Sequence, residues 1–456
     1  MAAPQVRLAS FAARNDSHPP VHAHEAGVAP TGRIALCLSG GGFRAALFHL
    51  GALRRLNEAG VLGQVDTVSS VSGGSILAAH LARTVAPWPK AGETFPDWEA
   101  KVAMPFRDFV SRNLRTPALL RRLWRWRRSA AVEALAGLYE SRLTPQTMGE
   151  LPDRPKFVFC ATDMAYGAPW RFSKEWMGDG RVGYARTPAD LPVATAVAAS
   201  SCFPPAFNPL PFPADPEAFV RAGSADRDGE WRSLVAGGLT LSDGGLYDNL
   251  GLDVVWRGHA TILMSDGGAS FDPSPDRGLF KRLARYLEIQ GKQGWDARIQ
   301  HFNEAYHAHR LEGAYWLIGQ GTHGGYAPDL VDDVVSEMRT DLDAFTPEEV
   351  QVLENHGYAL AQSRLSHFAP GLLSGAPEPS PPHPEALDPA FVRRHLANSH
   401  KRAFPFGRFG QRPYSRTHPP AAGTAIRSFA PAPPPMPAKR APKETGEAPS
   451  VRPKGT

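Results

Sequence analysis

The sequence predicts an α/β fold: a three-layer α/β/α body around a mainly parallel central sheet, with a helical insertion and disordered tails. Three observations carry the prediction. Short apolar runs bounded by glycine-rich turns recur, and helical periodicity follows the first two, the alternation that builds a parallel sheet covered on both faces. The 456 residues give ample chain for one large core. Near residue 370 the composition shifts to Pro, Ala, Gly and basic residues, which cannot bury enough apolar area to order themselves.

Residues 1–31 read as a disordered leader. Asn15, Asp16, His18, Pro19 and Pro20 leave no apolar core for a secretory signal, and no run reaches transmembrane length. The expected location is the cytoplasm, with peripheral membrane contact; a secreted effector with a non-classical signal would read the same way. Ile34-Ala35-Leu36-Cys37-Leu38 is a buried strand that opens the α/β body, residues 32–368. Arg44 to Ala59 is a helix with Leu47, Leu50, Leu53 and Leu56 on one face and Gly60 as C-cap. A second strand spans 65–71, and Ile76, Leu77, Ala78 and Leu81 mark the helix after it. Residues 96–150 form a mostly helical insertion. Its run Leu119–Arg128 interleaves Arg with Trp, which suits a lipid-facing lid or an amphipathic helix with core tryptophans. Strands follow at 156–162 and 260–265. The C-terminal helical part, about 275–368, holds a strand-like Ala314–Ile318 and a helix opened by the capping box Thr346-Pro347-Glu348-Glu349. That helix is expected on the outside of the body, with Gly357 bending it or admitting a neighbour.

Three motifs carry chemistry. Ser72 lies in Ser70-Val71-Ser72-Gly73-Gly74, between a strand and a helix. A sharp turn there lifts one side chain above the sheet edge and demands small neighbours. Ser70 stands where the usual Gly-x-Ser-x-Gly pattern has its first glycine; Gly74 fills the second place. Gly40-Gly41-Gly42-Phe43-Arg44 joins a strand to a helix, an anion-cradling arrangement. It has neither the Gly-Lys-Ser/Thr of a P-loop nor dinucleotide glycine spacing. With a serine downstream, an oxyanion hole is favoured over a bare tight turn, and Arg44 adds charge or fixes the loop. Asp243, before Gly244-Gly245, ends an apolar stretch and can take a proton from a serine hydroxyl. Asp266 repeats that motif in Ser265-Asp266-Gly267-Gly268, and Asp163 also ends a strand.

In this order, and together with Phe157–Asp163 and Ala199–Phe207, the motifs resemble those of the patatin-like phospholipases, from about Arg33 to about Gly268. The resemblance implies a Ser-Asp dyad with no histidine. Ser72 would be the nucleophile and Asp243 its base, preferred over Asp266 because Leu246-Tyr247-Asp248-Asn249 follows it. The Gly40–Arg44 loop would form the oxyanion hole, with the N–H groups of Gly41, Gly42 and Phe43 as donors. The implied protein is a serine lipid acyl hydrolase of phospholipase A or lysophospholipase type, working through an acyl-serine. Lipid is its partner, and neither cofactor nor metal is implied. Two other readings stay open: a catalytically silent membrane-surface binding protein, and an acyltransferase.

Cys37, Cys160 and Cys202 lie in apolar contexts without metal-ligand spacing and read as small buried hydrophobes. The histidines are scattered, and the helical His356 is the one that draws attention. From residue 369 the chain reads as a Pro-rich basic disordered tail. After residue 370, 13 Lys and Arg face 5 Asp and Glu; this balance exceeds the +5 of the whole chain, so the body before it is weakly acidic. Such a tail suits anionic lipid or keeps the chain soluble; nucleic acid is not the expected partner.

Overall fold

The computed structural model describes residues 31–124, 129–220, 228–268 and 279–401. The leader before residue 31, the end of the Arg/Trp run at 125–128 and the tail beyond 401 lie outside the described residues. Along the chain run β1 (Thr31–Leu38), α1 (Gly42–Glu58), β2 (Val65–Val71), α2 (Gly73–Thr84), α3 (Met104–Val110), α4 (Arg115–Trp124) and α5 (Ala130–Arg142). Next come β3 (Lys156–Asp163), β4 (Ala168–Phe172), β5 (Trp176–Asp179), β6 (Gly183–Arg186), α6 (Val193–Ser201), β7 (Leu210–Pro211), α7 (Asp228–Ser233) and β8 (Thr240–Asp243). The chain continues through β9 (His259–Asp266), α8 (Leu279–His307), β10 (Glu312–Leu317), α9 (Pro328–Leu330), α10 (Pro347–Phe368) and α11 (Pro389–Leu396).

The strands form one sheet in the order β10-β9-β1-β2-β3-β4-β5-β6, with β8 also on β3 and β7 on β8. Every pair from β10 to β3 is parallel, and the pairs beyond are antiparallel. The parallel half was legible as apolar runs. The β4–β6 meander was not, because its strands are short and carry polar and glycine residues between Trp170, Phe172 and Met177.

Alternation along β1 makes the layers. Ile34, Leu36 and Leu38 enter the core shared with α1, α2 and α10. Ala35 and Cys37 point the other way, against Leu252, Val255 and the α8 residues Ile299 and Phe302. All three cysteines are buried and unbridged. No helix among the described residues is long and apolar enough to cross a membrane.

The α10 helix starts at the expected capping box, Thr346 Oγ1 accepting from Glu349 N and Glu349 Oε2 from Thr346 N. It does not lie on the outside. A Cβ on Gly51 would stand 1.9 Å from Glu354 O, and one on Gly357 1.8 Å from Phe48 O, so α1 and α10 cross in backbone contact. Its far side is covered by residues 369–401, which corrects the expectation of disorder from residue 369. Asn355 exchanges hydrogen bonds with the His383 backbone, Ser380 N donates to Tyr358 Oη, and Arg339 donates to Ser399 O. Ala386, Val392 and Leu396 are buried. This segment orders itself by satisfying buried polar groups of α10 more than by presenting an apolar face, so hydropathy alone misses it.

Candidate active site

Two strands meet end to end on one edge of β3. β2 pairs with β3 as far as Val71 opposite Cys160. From Ala161 onward the same edge is taken by β8, running the other way, with Asp243 opposite Ala161. The opposite edge there belongs to β4. Ser72 and Asp243, far apart in sequence, therefore emerge at the same level.

Ser72 caps α2 with φ 50° and ψ −113°, a left-handed conformation that costs a non-glycine residue about 1–3 kcal/mol. Its neighbours must be glycines: a Cβ on Gly73 would stand 2.1 Å from Gly42 O, and one on Gly74 2.3 Å from Leu38 O. Gly74 N in turn donates to Ser39 O, locking the elbow to the glycine loop.

Asp243 is buried, and its Oδ1 accepts from Gly245 N at 2.8 Å. Its Oδ2 is buried with no hydrogen-bond partner among the described residues. Burial pushes its pKa up to about 7, against the smaller pull of the Gly245 N–H and the Ser72 hydroxyl. The Ser72 hydroxyl thus stands beside the carboxyl, although no hydrogen bond of ordinary geometry yet joins it to Oδ2. Thr162 Oγ1 donates to the backbone carbonyl of Asp243 and fixes it to β3.

In the glycine loop the donors differ in their duties. Gly40 N donates to Asn249 O and Phe43 N to Asp341 O, so both are committed. Phe43 is thereby removed from the expected set of oxyanion donors. Gly41 N and Gly42 N have no acceptor among the described residues, and neither does Gly73 N. Gly41 (φ 140°) and Gly42 (φ 61°) hold conformations that glycine favours. Arg44 is buried and donates to Gly267 O, Ser336 O and Met338 O, so it fixes the loop.

The other aspartates are engaged elsewhere. Asp266 ends β9 on the far side of β1, accepting from Gly268 N and Trp295 Nε1. Asp163 accepts from Ala165 N and shares its surroundings with the buried Asp179; burial raises both pKa values. His356 donates from Nε2 to Ile318 O, and burial lowers its pKa to about 4.

Sequence reasoning assigned no role to three supports. His49 donates from Nε2 to Ser39 O, so its Nδ1 accepts from Ser265 Oγ at 2.6 Å; burial keeps it neutral, with a pKa of about 4. Its signal was a lone polar residue within the apolar stretch of α1. Asn249 fills the space that three glycines leave open: Oδ1 is 2.3 Å from a Cβ placed on Gly40 and 2.7 Å from one on Gly245, and Nδ2 is 2.9 Å from one on Gly268. The third is Ser200, whose Oγ accepts from Ser72 N at 2.9 Å.

Residues 36–256 match the family model described as patatin-like phospholipase. No curated protein sequence matches the chain. Among solved structures, human GIVD cytosolic phospholipase A2 in complex with methyl gamma-linolenyl fluorophosphonate is similar at 15% identity, over 76% of this chain and 59% of that one, with a TM-score of 0.44. VipD from Legionella pneumophila is similar at 16% identity, over 76% of this chain and 67% of that one, with a TM-score of 0.31. The chain spans 46% to 60% of the length of the human phospholipase structures it matches.

Proposed function

We propose, on the match of residues 36–256 to the patatin-like phospholipase family model, that the protein is a serine lipid acyl hydrolase releasing fatty acid from a phospholipid or lysophospholipid ester. One observation carries the reading: Asp243 Oδ2, a buried carboxyl oxygen without a partner among the described residues, stands beside a strained serine packed against a glycine loop whose Gly41 and Gly42 amides have no acceptor among the described residues.

Ser72 Oγ attacks the ester carbonyl carbon as its proton passes to Asp243. The carbonyl oxygen becomes an oxyanion held by the N–H groups of Gly41 and Gly42. Collapse expels the alcohol, which takes the proton from Asp243, and leaves acyl-Ser72. Water then attacks the acyl carbon, gives its proton to Asp243, and the second collapse returns that proton to Ser72 as fatty acid leaves. A carboxylate of ordinary pKa is a poor base for a serine hydroxyl; a pKa near 7 improves the match while leaving the group ionised at mildly alkaline pH. Each oxyanion donor is worth on the order of 10²–10³ in turnover.

The test is fatty acid release from phosphatidylcholine and lysophosphatidylcholine by wild type, Ser72→Ala and Asp243→Asn, all matched for folding. Loss in both variants is expected. Activity retained in Ser72→Ala sinks the mechanism, and an inactive wild type favours a silent binding protein.

A further inference from the structure

The elbow departs from the usual pattern at Ser70, and that hydroxyl has a definite place. Ser70 Oγ donates to Val158 O at 3.1 Å, and Ser75 Oγ donates to Ser70 Oγ at 3.1 Å. Ser75 Oγ is also 2.9 Å from Ser200 Oγ, and Ser200 donates to Cys160 O at 2.6 Å. Ser200 Oγ accepts from Ser72 N at 2.9 Å. Ser70, Ser75 and Ser200 are each wholly buried, so no bulk water can take a partner's place.

Proton counting fixes the polarity at the two ends. Ser70 and Ser200 spend their protons on β3 carbonyls. Ser75 gives its proton to Ser70 Oγ and packs at 2.9 Å on Ser200 Oγ, which receives the Ser72 N–H. We propose that these three hydroxyls form a strut that holds Ser72 in its strained, reactive conformation, with Ser200 as the positioning residue. This rests on the reading of Ser72 as nucleophile.

The physical need is clear. A left-handed non-glycine backbone persists only where its surroundings over-determine it. Ser72 N lies past the end of the β2 ladder, so without Ser200 its donor is buried and unpaired. The strut also has a common datum. Its two ends rest on Val158 and Cys160 of β3, and the next two residues, Ala161 and Thr162, hold Asp243. Nucleophile and base are therefore both indexed to one strand, which sets their separation more tightly than two independent loops could. Serine in place of the first elbow glycine is thus an added support.

The experiment measures kcat, KM and the rate of covalent labelling by an alkyl fluorophosphonate for wild type, Ser200→Ala, Ser200→Cys and Ser70→Gly, with rates expressed per labelled site. Ser200→Ala is expected to lower kcat and labelling rate about 10- to 100-fold with KM unchanged, the signature of a misplaced nucleophile. Ser200→Cys, a weaker acceptor of similar shape, falls between it and wild type, and Ser70→Gly loses less than about tenfold because Ser75 and Ser200 remain. A merely structural role would lower the number of labelled sites and leave the rate per site unchanged; that result overturns the strut. If Ser200→Ala does not fold, Ser200→Cys decides on the same two readings. Wild type that labels elsewhere than Ser72 overturns the nucleophile assignment itself, an outcome distinct from equal labelling of wild type and Ser200→Ala.

Discussion

Replacing Asp243 by Asn is expected to abolish activity and, at alkaline pH, to stabilise the fold. The carboxyl is fully buried, and burial carries its pKa from 3.8 to about 7. That rise is the cost of ionising it in place, about 4 kcal/mol at most. The sign follows from counting protons. Below about pH 4 the group is protonated in folded and unfolded chains alike, and nothing is lost. Between about pH 4 and pH 7 the folded chain keeps a proton that the unfolded chain has released, so stability falls as pH rises. Above that window both are ionised and the full cost is present. Asn is neutral throughout. The stability difference between variant and wild type is therefore flat at low pH, grows through the window and levels off above it. Urea unfolding at about pH 4 and about pH 8 measures it. The companion assay is kcat/KM against pH, which is expected to rise with an apparent pKa of about 7 as the base ionises. An Asn variant that gains no stability relative to wild type between the two pH values would refute the burial argument, and with it the reason for an activated base.

Further outcomes are expected. Ser72→Gly relieves the positive φ that Ser72→Ala retains, so it should be more stable than the Ala variant by about 1 kcal/mol in urea unfolding; equal stabilities would deny the strain. Gly40→Ala places a Cβ 2.3 Å from Asn249 Oδ1 and is expected to destabilise by about 1–3 kcal/mol. Asn249→Ala in the same chain should recover part of that loss, and a double-mutant cycle that is additive within about 0.5 kcal/mol would rule the contact out. Ending the chain after Phe368 strips Asn355 of the His383 backbone and Arg339 of Ser399 O, and uncovers α10. A loss of about 3 kcal/mol or more is expected, read as a lower melting temperature.

The parallel strands could be read from sequence because each is an apolar run, and β1, β2, β9 and β10 are stopped within two residues by glycine; the candidate site residues of the first two fall at those stops. The motif order named Ser72, Asp243 and the Gly40–Gly42 loop as candidates without knowledge of the strand order. What the sequence hid was spatial. That β8 takes over the edge of β3 where β2 leaves it depends on a pairing between distant residues, which no local pattern encodes. Phe43 looked like a donor because its place in the loop is right; its N–H is consumed by Asp341, nearly three hundred residues on. Ser200 and Asn249 carry no periodic signal, since their importance lies in what their polar atoms reach. The packing of residues 369–401 was hidden for a related reason. Its anchors are carbonyls and amides, to which a hydropathy reading is blind.

The dependence of the glycine loop on the far end of the chain sets an order of events during synthesis. A ribosome has delivered Ser72, Asp243 and the glycines of the loop and elbow once residue 268 is out. The loop's floor is still missing: Arg44 lacks Ser336 and Met338, and Phe43 lacks Asp341. A growing chain then carries every reacting group and no fixed oxyanion site, and domains settle as units once their parts are present. The proposed lipid-cleaving activity would thereby be withheld until residues 336–341 arrive, as a lock stays open until its final tumbler drops. Chains released between residues 268 and 335 are expected to ignore fluorophosphonate, and labelling of such a fragment at the full-length rate would show that the floor is dispensable.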